Sequence, residues 1–437
     1  MTVAQVHARH RGVQKPLKSC FSREISKKIL LFFFSLFFSL FSGELLMRGF
    51  YPQQLIKTEG IWRPDPELGW RHIESARRFI NNGERRPVLW VTDENGFRTS
   101  PVRKKRGQQP DVSLLMIGDS FLAALALDYE KTIPDRVERY FKKKYSILPR
   151  VDNAGVGAWE PGQYLLETRR ALKQRHYDMG VIFFYIGNDV IDRLRFKFMP
   201  QDISPSKQLR IPSGWTPQAF QKDLILPLNN FLRERSHLFV FLKARLQILL
   251  ARMGFTDYYF PDIFLRKEAN SLKWEATAAM AELIYQEFQQ RKIPALFVLL
   301  PVNYQVQPQL LTRYRKMFNI PPDSIDLDQP NQKLAAQFQQ RSIPFIDMLP
   351  LFRENAKKGL KMYGSSDNHL NAEGHDAVTE AILPKVEATL KFKSESFKNS
   401  IADTGRQLRL VKLRNRREVQ GTRIPSVKPE NHSFVDA

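Results

Sequence analysis

From about residue 111 the chain alternates short apolar runs with longer stretches whose apolar residues recur at helical spacing. The runs occupy residues 112–117, 150–153, 181–186, 295–300 and 344–347. In two of them, VIFFYI and ALFVLL, the apolarity is continuous rather than alternating, which predicts strands buried on both faces. Between them Trp274, Ala278, Ala281, Tyr285 and Phe288 fall three and four residues apart, the period of a helix laid over a sheet. Further covering helices are expected near 131–145, 160–175, 331–341 and 372–393. The alternation predicts an α/β fold, a parallel sheet sandwiched between two helical layers.

Two segments depart from that rhythm. Residues 29–47, ILLFFFSLFFSLFSGELLM, are apolar on every face apart from small Ser and Gly and the single Glu44, and about 20 such residues cross a bilayer. A buried core helix is the competing reading, but no polar stripe gives this segment an amphipathic period. Lys15, Lys18, Arg23, Lys27 and Lys28 precede it closely, whereas only Arg48 and Lys57 follow closely, so the N-terminus is expected in the cytoplasm. A cleaved signal peptide is disfavoured, because sites near Ser42 or Gly43 would place Leu40 or Phe41 where a small residue is needed. The second departure, 193–270, reads as a helical insertion containing HLFVFLKARLQILLARM at 237–253. Its Lys243, Arg245 and Arg252 argue against a second span, and packing as a lid or side wall is favoured over contact with a membrane surface.

The resulting layout is a basic flank at 1–28, a transmembrane anchor at 29–47, a juxtamembrane segment at 48–110, an α/β domain at 111–395 carrying the insertion 193–270, and a basic tail at 396–437 expected to be disordered. Charge adds little to this picture. The net +23 suggests an anionic partner at first, yet residues 1–28 and 396–437 carry +6 and +5 of it, and no nucleic-acid-binding motif lies between them. No nucleic-acid partner is expected. The only cysteine, Cys20, precedes the apolar segment, so disulfides and thiolate metal sites are excluded beyond it.

The candidate chemistry lies where the apolar runs end. The first run leads into Gly118-Asp119-Ser120, which places Ser120 at the carboxyl end of a strand, the edge at which open α/β sheets bind ligands. The second leads into Asn153-Ala154-Gly155-Val156-Gly157-Ala158-Trp159, and the third into Gly187-Asn188-Asp189. After the last run a loop carries Asp367-Asn368-His369, with Asn371 placed to cap the final helix. A serine hydroxyl needs a base and the base an orienting carboxylate; His369 and Asp367 supply both. Asn188 and the backbone N–H groups of Ser120, Gly157 and Ala158 would form the oxyanion hole. Asp367, His369 and His375 could instead ligate a metal, but their spacing fits no helical metal pair, and no metal is expected. His375 is read as a packing residue of the final helix.

These four blocks, in this order, resemble those of the SGNH (GDSL-like) hydrolases over about residues 62–390. Pro64-Asp65-Pro66-Glu67-Leu68-Gly69-Trp70 and Asn95-Gly96-Phe97-Arg98 resemble the preamble of its membrane-anchored bacterial members. The resemblance implies a flavodoxin-like three-layer sandwich, Ser120 as nucleophile, His369 as base, Asp367 as its partner, Asn188 as oxyanion donor, and no cofactor. Two departures stand out. Ala158 lies where the second block often ends in glycine, and the last block is spaced Asp-x-His where many relatives have Asp-x-x-His. The shorter spacing is shared with relatives of polysaccharide O-acetyltransferases.

The expectation is therefore a single-pass membrane protein with an outward-facing domain that cleaves acyl esters through an acyl-Ser120 intermediate, on O-acylated carbohydrate of the cell envelope. Two alternatives stay open: an O-acyltransferase modifying an envelope polysaccharide, served by a membrane-bound acyl-donor partner, and a non-catalytic glycan-binding scaffold.

Overall fold

The computed structural model describes residues 17–57, 60–82, 86–102, 109–190, 226–253, 262–266, 271–318, 320–364 and 368–390. Helix α1 (Leu17–Phe50) holds the apolar segment. Five short strands follow: β1 (Ile56–Lys57), β2 (Trp62–Asp65), β3 (Gly69–His72), β4 (Arg77–Asn82) and β5 (Val88–Val91). They form an antiparallel β2–β3 hairpin and an antiparallel sheet in the order β1-β4-β5. These strands were not foreseen in the sequence, because they are only two to six residues long and, β5 (VLWV) apart, lack a continuous apolar run.

The central sheet consists of β6 (Val112–Gly118), β7 (Pro149–Gly155), β8 (Met179–Tyr185), β9 (Ala295–Leu300) and β10 (Phe345–Asp347). All its pairings are parallel and the order is β10-β9-β8-β6-β7. Every residue of β8 and β9 is buried, as continuous apolar strands between two helical layers should be. The chain runs from β6 out to β7 and then returns to the other side of β6 with β8. Strand order therefore reverses at the carboxyl ends of β6 and β8, which opens a crevice there.

The helices are α2 (Ser120–Ala123), α3 (Ile133–Tyr145), α4 (Pro161–Gln174), α5 (Leu226–Arg235), α6 (His237–Arg252), α7 (Ser271–Gln289), α8 (Asn303–Val306), α9 (Pro308–Phe318), α10 (Gln329–Gln340), α11 (Leu349–Lys357) and α12 at 372–390. Of these, α3, α4, α7, α10 and α12 stand where apolar spacing predicts covering helices. The buried faces of α3, α4, α7, α10 and α12 join the strands in one core that includes Phe141, Tyr164, Ile284, Phe338 and Val386. The insertion is helical over α5 and α6, and α6 bridges α1 and α9. Residues 1–16, most of the expected insertion (191–225, 254–261 and 267–270) and the basic tail lie outside the described residues, as does Asp367.

Candidate active site

The sharp turn after β6 presents Ser120. Asp119, buried at the turn, caps α2 by accepting from the Phe121 N–H at 2.8 Å. The turn fits tightly under the end of β7: a Cβ on Gly155 would lie 2.6 Å from the Ala123 nitrogen, so only glycine allows that approach. Arg98, fully buried, closes the far side of the turn. Its guanidinium donates to the carbonyls of Ala123 (2.5 Å), Ala124 (2.7 Å) and Leu127, and lies 4.4 Å over the Trp90 ring. Burial lowers its pKa to about 10, which leaves it charged at neutral pH.

His369 comes from the loop before α12. Its Nε2 lies 2.8 Å from Ser120 Oγ. The loop is held at several points. Gly364 N–H donates to the His369 carbonyl at 2.8 Å, and Asn368 Nδ2 donates to the Tyr185 hydroxyl at 3.2 Å. The Phe121 ring stacks on Tyr185 at 3.7 Å and lies 5.0 Å from the imidazole, forming an apolar floor. Asn371 caps α12 as its position suggests, accepting from Gly374 N–H at 2.9 Å. His375 is a packing residue of α12: it is buried, its Nδ1 accepts from Ile133 N–H at 3.3 Å, and burial lowers its pKa to about 3. Among the described residues no three His, Cys, Asp or Glu side chains gather closely enough to hold a metal ion.

Asn188, in the loop after β8, reaches across the crevice and donates from Nδ2 to Asp119 Oδ2 at 3.0 Å. Its Oδ1 is buried without a partner among the described residues. Neighbouring Asp189 points inward and accepts from the Tyr164 hydroxyl and, at 2.7 Å, from Tyr185 N–H. Burial raises the pKa of both carboxyls, and their mutual repulsion raises that of Asp189 further.

Gly157 borders the serine, since a Cβ placed there would lie 4.0 Å from Ser120 Cβ. Ala158 is exposed and left-handed at φ 60°. The glycine that often occupies this place would take that conformation without strain. Among the described residues, the N–H groups of Ser120, Gly157 and Ala158 have no protein acceptor. The β2–β3 hairpin clamps this loop from above: Trp70 Nε1 donates to the Gly157 carbonyl at 3.0 Å, and Trp159 Nε1 to the Trp70 carbonyl at 2.9 Å. Gln163 Nε2 adds a bond to the Leu68 carbonyl at 2.7 Å. The upstream motif thus positions the loop beside Ser120.

The structure therefore brings Ser120, Gly157, Asn188 and His369 together, although Gly118 and His369 are some 250 residues apart in sequence. Sequence reasoning missed Asp119 as the anchor of Asn188, Arg98 as the clasp behind the turn, and Tyr185 with Phe121 as the floor. The adjacency of Asp119 to Ser120 in Gly-Asp-Ser was the signal available for the first. Beside the His369 loop opens a groove of about 1480 Å³ that reaches Asn368 and Leu370. Among the described residues, Arg86, Lys131, Arg313, Arg353, Lys357 and Lys361 line it with a single carboxylate, Asp128, which pairs with Arg86 and Lys131.

Residues 252–429, less than half the chain, match the family described as the SGNH hydrolase-like domain, acetyltransferase AlgX. The match includes His369 and leaves Ser120 outside it. No curated protein matches the chain. Among solved structures it is similar to a member of the lipolytic protein G-D-S-L family from Veillonella parvula, at 10% identity over 62% of this chain and 97% of that one, TM-score 0.33. It is similar also to a variant of Axe2, an acetyl xylan esterase from Geobacillus stearothermophilus, at 16% identity over 63% and 95%, TM-score 0.33. A third, the acetyl xylan esterase AlAXEase, shares 13% identity over 63% and 100%, TM-score 0.36.

Proposed function

We propose that the chain is an SGNH-type ester hydrolase or O-acyltransferase in which Ser120 attacks an acyl ester with His369 as its base; the likeness of residues 252–429 to the SGNH hydrolase-like domain supports this reading. The 2.8 Å separation of His369 Nε2 from Ser120 Oγ carries this reading. In the reaction, His369 takes the hydroxyl proton as Ser120 Oγ bonds to the acyl carbon. The tetrahedral oxyanion is met by the N–H groups of Ser120, Gly157 and Ala158 and by Asn188 Nδ2. His369 then returns the proton to the departing alkoxide, which leaves acyl-Ser120. Asp367 is proposed to orient the imidazole and stabilise its charged form. In the second half, His369 deprotonates the acceptor, which bonds to the acyl carbon; the acyl–Oγ bond breaks and His369 returns the proton to Ser120 Oγ, restoring the free enzyme.

Water as acceptor gives an esterase, and a sugar hydroxyl gives an O-acyltransferase. The likeness of residues 252–429 to an acetyltransferase family favours the second outcome as an alternative to the first. The cationic groove beside His369 supports a long, anionic, O-acylated glycan over a small neutral ester. The Lys and Arg residues before the apolar stretch 29–47 support a cytoplasmic N-terminus, with the α/β domain on the outer side of the membrane.

The test is mass spectrometry of the full chain in detergent after exposure to a fluorophosphonate. An adduct on Ser120 that is absent in Ser120→Ala and much reduced in His369→Ala is the expected result. Folded protein that takes no label while a control hydrolase does would remove the catalytic reading and favour a glycan-binding scaffold.

A further inference from the structure

Glu44 is a carboxylate within the otherwise apolar stretch 29–47 of α1, and the structure shows what holds it. It accepts from the Ser236 hydroxyl at 2.8 Å, from the His237 N–H at 3.0 Å and from the Leu238 N–H at 2.9 Å. Arg48, one turn on, adds a fourth bond at 2.7 Å. Glu44 thus serves as the N-terminal cap of α6, although it comes from another helix. Contacts around it tighten the junction: Gly43 faces Leu238, Gln53 N–H donates to His237 Nδ1 at 2.7 Å, and the Tyr51 and Phe241 rings meet edge to face.

This junction fixes the depth of α6. Glu44 lies sixteen residues beyond Lys28, or about 24 Å along a helix, whereas the hydrocarbon layer is about 30 Å thick. The start of α6 must then lie at the outer boundary of the bilayer, where the carboxylate needs partners. From there α6 extends to α9, where Arg252 Nε donates to the Met317 carbonyl at 2.7 Å. Along its outer side Leu242, Leu246, Leu249 and Met253 fall at intervals of four, three and four residues, each half exposed or more. Leu228 and Phe231 of α5 are equally exposed. Leu45, Leu46 and Phe50 of α1 are likewise exposed, and Arg235 and Arg245, which lie over the Phe231 and Phe241 rings, belong to the same two helices as the stripe.

We propose that α5 and α6 lie in the outer face of the bilayer that α1 crosses, the stripe among the lipid acyl chains and the arginines among the phosphates. Two features point to lipid as the occupant: the contact of α6 with α1, whose apolar residues are exposed, and cationic residues that complement anionic headgroups. Because α9 also forms one wall of the groove, this arrangement holds the groove next to the membrane, where an acyl group delivered through the bilayer would emerge. The inference rests on reading α1 as a membrane span.

The experiment uses the full chain in lipid nanodiscs with Cys20→Ser as background and one environment-sensitive fluorophore per variant. Labels at Leu246→Cys and Leu249→Cys probe α6, Phe37→Cys probes α1, and Lys173→Cys on α4 marks the aqueous side. Lipids carrying a doxyl group high on the acyl chain should quench both α6 labels about twofold or more, since interfacial helices sit about 5–10 Å deep. The Lys173→Cys label should be unaffected. If Phe37→Cys is quenched by deep doxyl lipids while the α6 labels respond only to aqueous iodide, the proposal is overturned and the anchor stands. If Phe37→Cys is not quenched by any lipid, the anchor reading itself fails and the proposal with it. Melting curves of each labelled variant confirm that the fold is intact.

Discussion

Asn188 Nδ2 donates to Asp119 Oδ2 at 3.0 Å, so the side chain proposed to meet the oxyanion is held by the residue directly before Ser120. Asp119 is held in turn by the Phe121 N–H. One buried carboxylate therefore sets both the start of α2 and the reach of Asn188 across the crevice between β6 and β8.

Removing this relationship should lower turnover more than binding. Asn188→Ala should reduce kcat about 10²–10³-fold with KM little changed, the usual cost of one oxyanion donor. Asp119→Ala should reduce kcat by about tenfold or more. The double variant should be little worse than Asn188→Ala, because both act through one amide. Steady-state kinetics on an aryl acetate, alongside melting curves, would measure this; fully multiplicative losses would show that Asp119 acts by another route.

Ala158 occupies a left-handed conformation while its methyl group faces solvent. Ala158→Gly relieves strain of about 1–2 kcal/mol and gives back about 0.4–1 kcal/mol through a freer unfolded chain. The expected net effect is a gain of up to about 1 kcal/mol in urea unfolding, with acyl-serine formation within a few-fold of the parent. A loss of stability would mean that the methyl group makes contacts the loop needs.

His72 and His375 are both buried, and burial lowers each from 6.5 to about 3. A histidine whose folded pKa is depressed stabilises the fold fully above 6.5 and loses that contribution as pH falls toward 3. Each should impose a slope of up to about 1.4 kcal/mol per pH unit between those limits. Buried Asp119 and Asp189, with raised pKa values, act in the opposite sense, so the comparison must be made within one pair of proteins. His375→Gln keeps an acceptor for the Ile133 N–H, and its urea midpoint should vary less between pH 6 and 4 than that of the parent. An unchanged slope would mean that His375 stays charged in the fold.

Lys357 and Lys361 line the groove away from the reacting atoms. Charge reversal at each, Lys357→Glu and Lys361→Glu, should raise KM for an anionic acylated glycan about 2–5-fold per site. Neither should change kcat, and added salt should shrink the effect. Hydrolysis of a small neutral ester should be unaffected. Equal effects on both substrates would rule out a role for the groove in binding an anionic chain.

The sequence by itself determined the layers. Continuous apolar runs such as VIFFYI can be buried only between two covers, and the spacing of Trp274 to Phe288 makes one of those covers a helix. It also pointed to Ser120, Asn188 and His369, because Gly-Asp-Ser, Gly-Asn-Asp and Asp-Asn-His each follow a run where a strand must end. Tertiary structure decided what local pattern cannot encode. The pairing of Asn188 with Asp119, the clasp of Arg98 on three carbonyls and the clamp of Trp70 on Gly157 join residues 25 to 87 positions apart and bury polar groups that look like surface residues in sequence. The same holds for Glu44, which reads as a flaw in an apolar stretch until α6, nearly 200 residues later, supplies the N–H groups that need its charge. Hydrophobic periodicity records which face of an element is buried, but a hydrogen bond between distant elements depends on where the chain returns, and that is set only when the whole core packs.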